Sequence, residues 1–214
     1  MRLALSLLTL AVLAVLAAPA GADAKPLLSG GCAPEVERLQ SSLDDLGFAS
    51  GGADGCFGAR TRYAVQAFQK AAGLRPDGVV GPVTSQALRR TERPRPRFHR
   101  AGLHAEVDLG RQLLLLVRNG RVESTFSVST GRVSFETPTG RFRILRQERR
   151  SWSVPYRVWL PFASYFVGGY AFHSGAVSAR AASHGCVRVP PPFAEEIFDT
   201  LRVDTAVYVY KGTT

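Results

Sequence analysis

At 214 residues the chain has room for one or two domains, and a 45% hydrophobic content is enough for ordinary globular cores. Twenty-seven basic residues against 17 acidic give a formal charge of +10, nearly all of it as arginine. Arginine-rich, lysine-poor usage is often a mark of codon bias, but the net charge still favours an anionic partner. No RNA- or DNA-binding motif accompanies it, so nucleic acid is not the expected partner. The first element, residues 1–24, reads as a secretory signal: Arg2, an uncharged apolar stretch from Leu3 to Leu16, then small residues with cleavage candidates at Ala18-Pro19-Ala20 and Ala22-Asp23-Ala24. The alternative is an uncleaved anchor, for which the apolar run is short against the ~20 residues of a spanning helix.

Residues 27–90 read as a small three-helix unit. Val36, Leu39, Leu43 and Leu46 recur at helical spacing and Gly47 ends that helix. A glycine-rich turn from Ser50 to Gly58 leads into a second helix near Ala59, which Gly73 terminates. Pro76-Asp77-Gly78 forms a turn, and Val83 to Leu88 a third short helix. Cys32 and Cys56 lie in this unit and can pair in an oxidising compartment. Closing that loop would stabilise the fold by roughly 3.5 kcal/mol through chain entropy. Residues 91–100, with Pro and Arg alternating from Arg93 to Arg97, read as an extended, solvated linker. The same arginines could brush anionic wall polymers.

From 101 to 214 the pattern changes to short strands, at His104–Leu109, Gln112–Val117, Arg121–Ser129, Arg141–Gln147, one or two within Tyr165–His173, and Thr205–Lys211. Asn119-Gly120 is a strong hairpin signal. Phe193, Ile197 and Leu201 mark a single helix in this half. The expected fold class is α+β overall: a three-helix N-terminal domain, then a β-rich sandwich or barrel.

The chemistry concentrates in Ser183-His184-Gly185-Cys186-Val187-Arg188, with His173 thirteen positions before Cys186. If Cys32 and Cys56 pair, Cys186 is the remaining thiol. A thiolate is the nucleophilic form, and a neighbouring imidazole can take its proton or hold it as an ion pair. Gly185 permits a sharp turn in which the Gly185 and Cys186 amides would face a developing oxyanion. A metal site built from Cys186, His184 and His173 fits no common zinc spacing, and neither metal nor cofactor is expected. His99 and His104 fall in or beside the linker and read as incidental.

Two stretches resemble known families. The first carries Val36-x-x-Leu39-Gln40-x-x-Leu43-x-x-Leu46-Gly47, Asp54-Gly55-x-Phe57-Gly58-x-x-Thr61, Ala64-Val65-x-x-Phe68-Gln69-x-x-x-Gly73-Leu74 and Asp77-Gly78-Val79-Val80-Gly81. It is similar to the peptidoglycan-binding domain of wall enzymes. The second runs over about 105–211, through Val107-Asp108-Leu109-x-x-Gln112-x-Leu114, Val128-Ser129-Thr130-Gly131, Thr137-Pro138-Thr139-Gly140-x-Phe142, His173 and the Cys186 motif. It resembles the L,D-transpeptidase (YkuD-type) catalytic domain, with a loop between His173 and Cys186 that is short for the family.

The second resemblance implies Cys186 as nucleophile and His173 as its base. It also implies a Ser174 carbonyl that orients the imidazole, and a His184 that shapes the site. Arg188 would pair with a stem carboxylate, and Tyr156 would help hold the donor carbonyl. Peptidoglycan stems would be donor and acceptor, D-Ala would leave a tetrapeptide through a thioester, 3→3 links would form, and carbapenems would inactivate at Cys186. An exported protein working at the cell wall follows. Hydrolysis of the same stems by an L,D-carboxypeptidase or endopeptidase, and a catalytically inactive wall-binding protein, stay open as alternatives.

Overall fold

The computed structural model describes residues 31–212. The expected signal segment and the first residues of the helical unit lie outside them. Three helices come first, α1 (Pro34–Asp45), α2 (Ala59–Ala71) and α3 (Pro82–Leu88). Pro34 and Pro82 open α1 and α3, where a missing N–H leaves no intrahelical bond unmade.

The helical unit is built twice on one plan. Gln40 of α1 donates to Asp54 Oδ1, Cys56 O and Thr61 Oγ1 at 2.8, 3.1 and 2.9 Å and accepts from Gly55 N at 2.8 Å. Gln69 of α2 donates to Asp77 Oδ1, Val79 O and Thr84 Oγ1 at 2.9, 2.9 and 3.2 Å and accepts from Gly78 N at 2.8 Å. Each buried amide thus closes an Asp-Gly turn and fixes the first turn of the next helix through its threonine. Gly55 and Gly78 sit at φ +74° and +72°, left-handed backbone that glycine adopts without a Cβ penalty. The two knots explain why the Asp-Gly turns recur in the sequence. Cys56, in the first, is bonded to Cys32, as expected.

Nine strands follow, β1 (Leu103–Asp108), β2 (Leu113–Arg118), β3 (Arg121–Ser127), β4 (Gly140–Arg143), β5 (Arg146–Ser153), β6 (Val158–Val167), β7 (Tyr170–Ser174), β8 (Val187–Val189) and β9 (Ala206–Tyr210), with α4 (Ala194–Thr200) before the last. They form a five-stranded sheet in the order β3-β2-β1-β9-β4 and a four-stranded sheet in the order β5-β6-β7-β8. β1–β9 and β7–β8 are parallel pairs and the other pairs are antiparallel. Ala105, Val107, Leu114, Leu116, Val207 and Val209 meet Phe166, Phe172, Val187, Val189 and α4 between the sheets.

The outer face of the first sheet is also covered. Leu113, Leu115, Val117 and Val122 share a core with Val36, Leu43, Phe57, Val65 and Phe68 of the helical unit. The unbroken Leu113–Val117 run follows from this: alternate residues face two different cores, so none faces water.

Residues 91–100 correct the expectation of a solvated tether. Arg93 donates to Val122 O at 2.9 Å and to Asp45 O at 2.5 Å. The backbone N–H groups of Arg97 and Phe98 donate to the Glu106 carboxylate at 2.8 and 2.9 Å, and Phe98 stacks on Tyr208 at 4.4 Å. His104, read as incidental, is fully buried and lies 3.1 Å from Glu106 Oε1. The segment is extended, but its turns are tied to the sheet because a buried carboxylate needs donors. Among the described residues no helix is long and apolar enough to cross a membrane.

Candidate active site

The β7–β8 pair sets the site. Phe172 lies opposite Val187 and His173 opposite Arg188. Side chains alternate across a sheet, so Phe172, Val187 and Val189 enter the core while His173, Arg188 and, two residues earlier, Cys186 fall on the other face. That face opens into a cleft of about 660 Å³ lined by Cys186, His173, His184, Ser183 and Arg188 and walled by Trp152, Tyr156 and Tyr170.

His173 is 8% exposed, and its Nδ1 lies 2.8 Å from the Ser174 carbonyl. A carbonyl can only accept, so Nδ1 carries the hydrogen and Nε2 keeps its lone pair as the basic nitrogen. Burial, aided by the Arg188 charge and opposed by the Ser174 carbonyl, holds His173 below the usual imidazole range. Cys186 is partly exposed, with its Sγ 3.8 Å from Gly169 O. Burial pushes its thiol up, against the Ala171 amide and Arg188. Both shifts favour a neutral thiol and a neutral imidazole over a resting ion pair.

The turn before Cys186 is built around Ser183. Its hydroxyl accepts from Gly185 N at 3.0 Å and donates to Cys186 O at 2.5 Å, and Thr137 Oγ1 donates to Gly185 O at 2.6 Å. Gly185 sits at φ +116°, and a Cβ there would stand 2.5 Å from Tyr170 Cε1, so backbone and packing both demand glycine. This geometry corrects one expectation. The Gly185 N–H, expected to face an oxyanion, is instead engaged by the Ser183 hydroxyl. Among the described residues the Cys186 N–H has no such partner.

His184 is exposed, with its ring 4.7 Å from that of Tyr156 and 5.0 Å from that of Phe135. Desolvation, then the charges of Arg132 and Arg188, lower its pKa. Tyr156 is at the tip of the β5–β6 hairpin, on the rim of the cleft. Arg188 has no carboxylate within salt-bridge distance among the described residues, which leaves an open cation in the cleft. Among those residues no three His, Cys, Asp or Glu side chains converge as metal ligands would.

Sequence reasoning passed over Ser183 and Thr137 as turn-holders and missed the β5–β6 wall. The β5 strand is mostly exposed and carries Arg and Glu, so it shows no apolar alternation. Its signal was Trp152 and Trp159, which lie opposite one another across the hairpin.

Known proteins resemble this chain in sequence and in fold. The sequence model of the L,D-transpeptidase catalytic domain, YkuD, matches residues 103–209, and that of a peptidoglycan binding domain matches 32–88. The crystal structure of an L,D-transpeptidase (residues 123–326) from Xylanimonas cellulosilytica DSM 15894 is 38% identical, with a TM-score of 0.79 over 91% of this chain and 100% of that one. An L,D-transpeptidase from Stackebrandtia nassauensis is 25% identical, with a TM-score of 0.54 over 86% and 94%. YkuD of Bacillus subtilis (strain 168) is 30% identical over 86 residues, which are 40% of this chain and 52% of that protein, so the match spans about half of that relative's length. With its catalytic-domain match covering half of its length behind a peptidoglycan-binding domain, the chain belongs to the L,D-transpeptidase family of the YkuD type.

Proposed function

We propose that this protein is a cysteine acyltransferase that joins peptidoglycan peptide stems. One observation carries the reading: a buried His173, fixed as the Nδ1–H tautomer by Ser174, opens onto the cleft that holds Cys186. As the Sγ of Cys186 attacks the carbonyl between the third residue and the terminal D-Ala of a tetrapeptide, its proton passes to His173 Nε2. The tetrahedral oxyanion is met by the Cys186 N–H. Collapse breaks the C–N bond, His173 returns the proton to the departing D-Ala amine, and a thioester remains. A side-chain amine of a second stem then attacks, loses its proton to His173 and displaces the thiolate, giving a 3→3 link.

The open Arg188 cation suits a stem carboxylate, and the aromatic rim of Trp152 and Tyr156 suits the stem's apolar parts. The peptidoglycan-binding domain would hold the enzyme on its polymer, in the wall outside the cytoplasm, with the leader of residues 1–24 directing export. Domain boundaries at 27–90, 91–100 and 101–214 are part of this proposal.

The test is incubation with a defined tetrapeptide donor and mass spectrometry of the muropeptides. Dimers with equimolar release of D-Ala are the expected result. Trimmed stems without dimers would replace the transferase by a hydrolase, and no covalent carbapenem adduct on a folded protein would mark an inactive wall-binding protein.

A further inference from the structure

Lys70 is part of α2, yet its ammonium leaves the helical unit. The residue is 7% exposed. Its Nζ donates to Val128 O at 2.8 Å, to Ser178 O at 3.0 Å and, more weakly, to Gln112 O at 3.4 Å. All three acceptors belong to the catalytic domain, and three donors meet three carbonyls. No carboxylate lies within salt-bridge distance among the described residues. Burial pushes the pKa of Lys70 down to about 7, while the three carbonyl dipoles favour its charged form. A cation without a counter-charge is a costly way to fill a buried position that methionine would fill freely.

The place where it binds links the parts of the cleft. Val128 is followed by Ser129, whose N–H and C=O pair with the C=O and N–H of Arg188 at 3.1 and 3.0 Å. Thr130 O then accepts from Ala182 N and Ser183 N at 3.0 and 2.9 Å. Ser178 lies in the segment 175–182, which runs from the His173–Ser174 pair to the Cys186 turn. Ser129 Oγ donates to Arg180 O at 2.9 Å and lies 3.2 Å from Ser178 Oγ. A single ammonium therefore ties the connection between His173 and Cys186 to the strand end that also holds Arg188.

We propose that Lys70 is a positioning residue for the His173–Cys186 pair, so that the peptidoglycan-binding domain is a structural part of the catalytic site as well as its anchor. The proposal rests on the acyltransferase reading for its substrate but not for its geometry. The test uses the full chain with Lys70→Met, which approximates the aliphatic stem of lysine and removes the donors. D-Ala release from a tetrapeptide donor is expected to fall about 100-fold, mainly in kcat, the order that a 1 Å misplacement costs. In hydrogen exchange, amides of 175–183 should open while those of α2 stay protected. Turnover equal to wild type, or loosening of α2 and 175–183 to the same extent, would overturn it.

Should Lys70→Met fail to fold, Ser129→Ala decides. It keeps Lys70 and removes the hydroxyl that holds Ser178 and Arg180, and a drop of at least about 10-fold in kcat is expected on the same grounds. Unchanged turnover there overturns the proposal. If the wild-type protein itself releases no D-Ala, the functional reading fails instead. Iodoacetamide alkylation of Cys186 at neutral pH then judges positioning alone: slower reaction in the folded variant supports it, and an equal rate overturns it.

Discussion

The cleft is lined by two histidines, and their settings are built differently. His173 is on β7, buried, its tautomer fixed by a 2.8 Å hydrogen bond to a backbone carbonyl. His184 is next to the nucleophile in sequence, yet exposed, and it meets aromatic rings. Strand pairing, not chain proximity, brings the proposed base into the cleft that holds Cys186. A base needs one fixed lone pair at a set distance, which a packed strand supplies and an exposed turn does not.

The largest break in that comparison is His173→Ala, expected to lower acylation of Cys186 by about 10²–10⁴, the usual worth of a general base. Circular dichroism and binding to insoluble peptidoglycan should match wild type, since the variant leaves the helical unit intact. A loss below tenfold would move the base elsewhere.

Gly185→Ala attacks the turn between His184 and Cys186. The new Cβ meets Tyr170 and the residue must hold φ +116°, so a stability loss of about 1–3 kcal/mol is expected from backbone strain alone. Turnover should fall by about 10–100-fold as Cys186 shifts. Thermal unfolding and D-Ala release measure the two separately.

A third measurement sharpens the contrast through pH. Burial holds His173 below the usual imidazole range and Cys186 above the usual thiol range, so a neutral pair is the expected resting form. The rate should stay flat through neutrality and drop only below the ordinary imidazole value. Thiolate ultraviolet absorbance, taken against Cys186→Ser, should be missing at neutral pH, and its presence there would mean an ion pair. Stability follows the same sign. Below the ordinary imidazole value the unfolded chain takes up a proton that folded His173 refuses, so stability is lost as pH falls. His173→Gln should flatten that slope in a series of melts.

Much of this was legible in the residues. Helical spacing and two Asp-Gly turns marked the first unit, and a thiol between histidine and arginine marked the site. What the sequence hid were consequences of contact across the chain. The Leu113–Val117 run signals a strand but not that its second face is covered by α2. The Pro-Arg segment looks solvated because the Glu106 carboxylate that ties it down is read as an ordinary strand residue. Gly185 looked like an oxyanion donor until Ser183, two residues away, was seen to occupy its N–H. Nothing in the sequence marks Lys70, because its acceptors are backbone carbonyls 42 to 108 residues away.

His184→Ala should have the smallest effect, and its size tests the whole contrast. The ring is exposed, so truncation leaves no buried cavity. What goes is one face of the rim that Tyr156 and Phe135 share. Substrate contacts made equally in ground and transition states raise KM and leave kcat alone when removed. We therefore expect KM for the donor to rise by about fivefold, the equivalent of one lost contact of ~1 kcal/mol, with kcat within about twofold of wild type. A kcat loss as large as that of His173→Ala would make the exposed imidazole a base, and the buried one a core residue that happens to face the thiol.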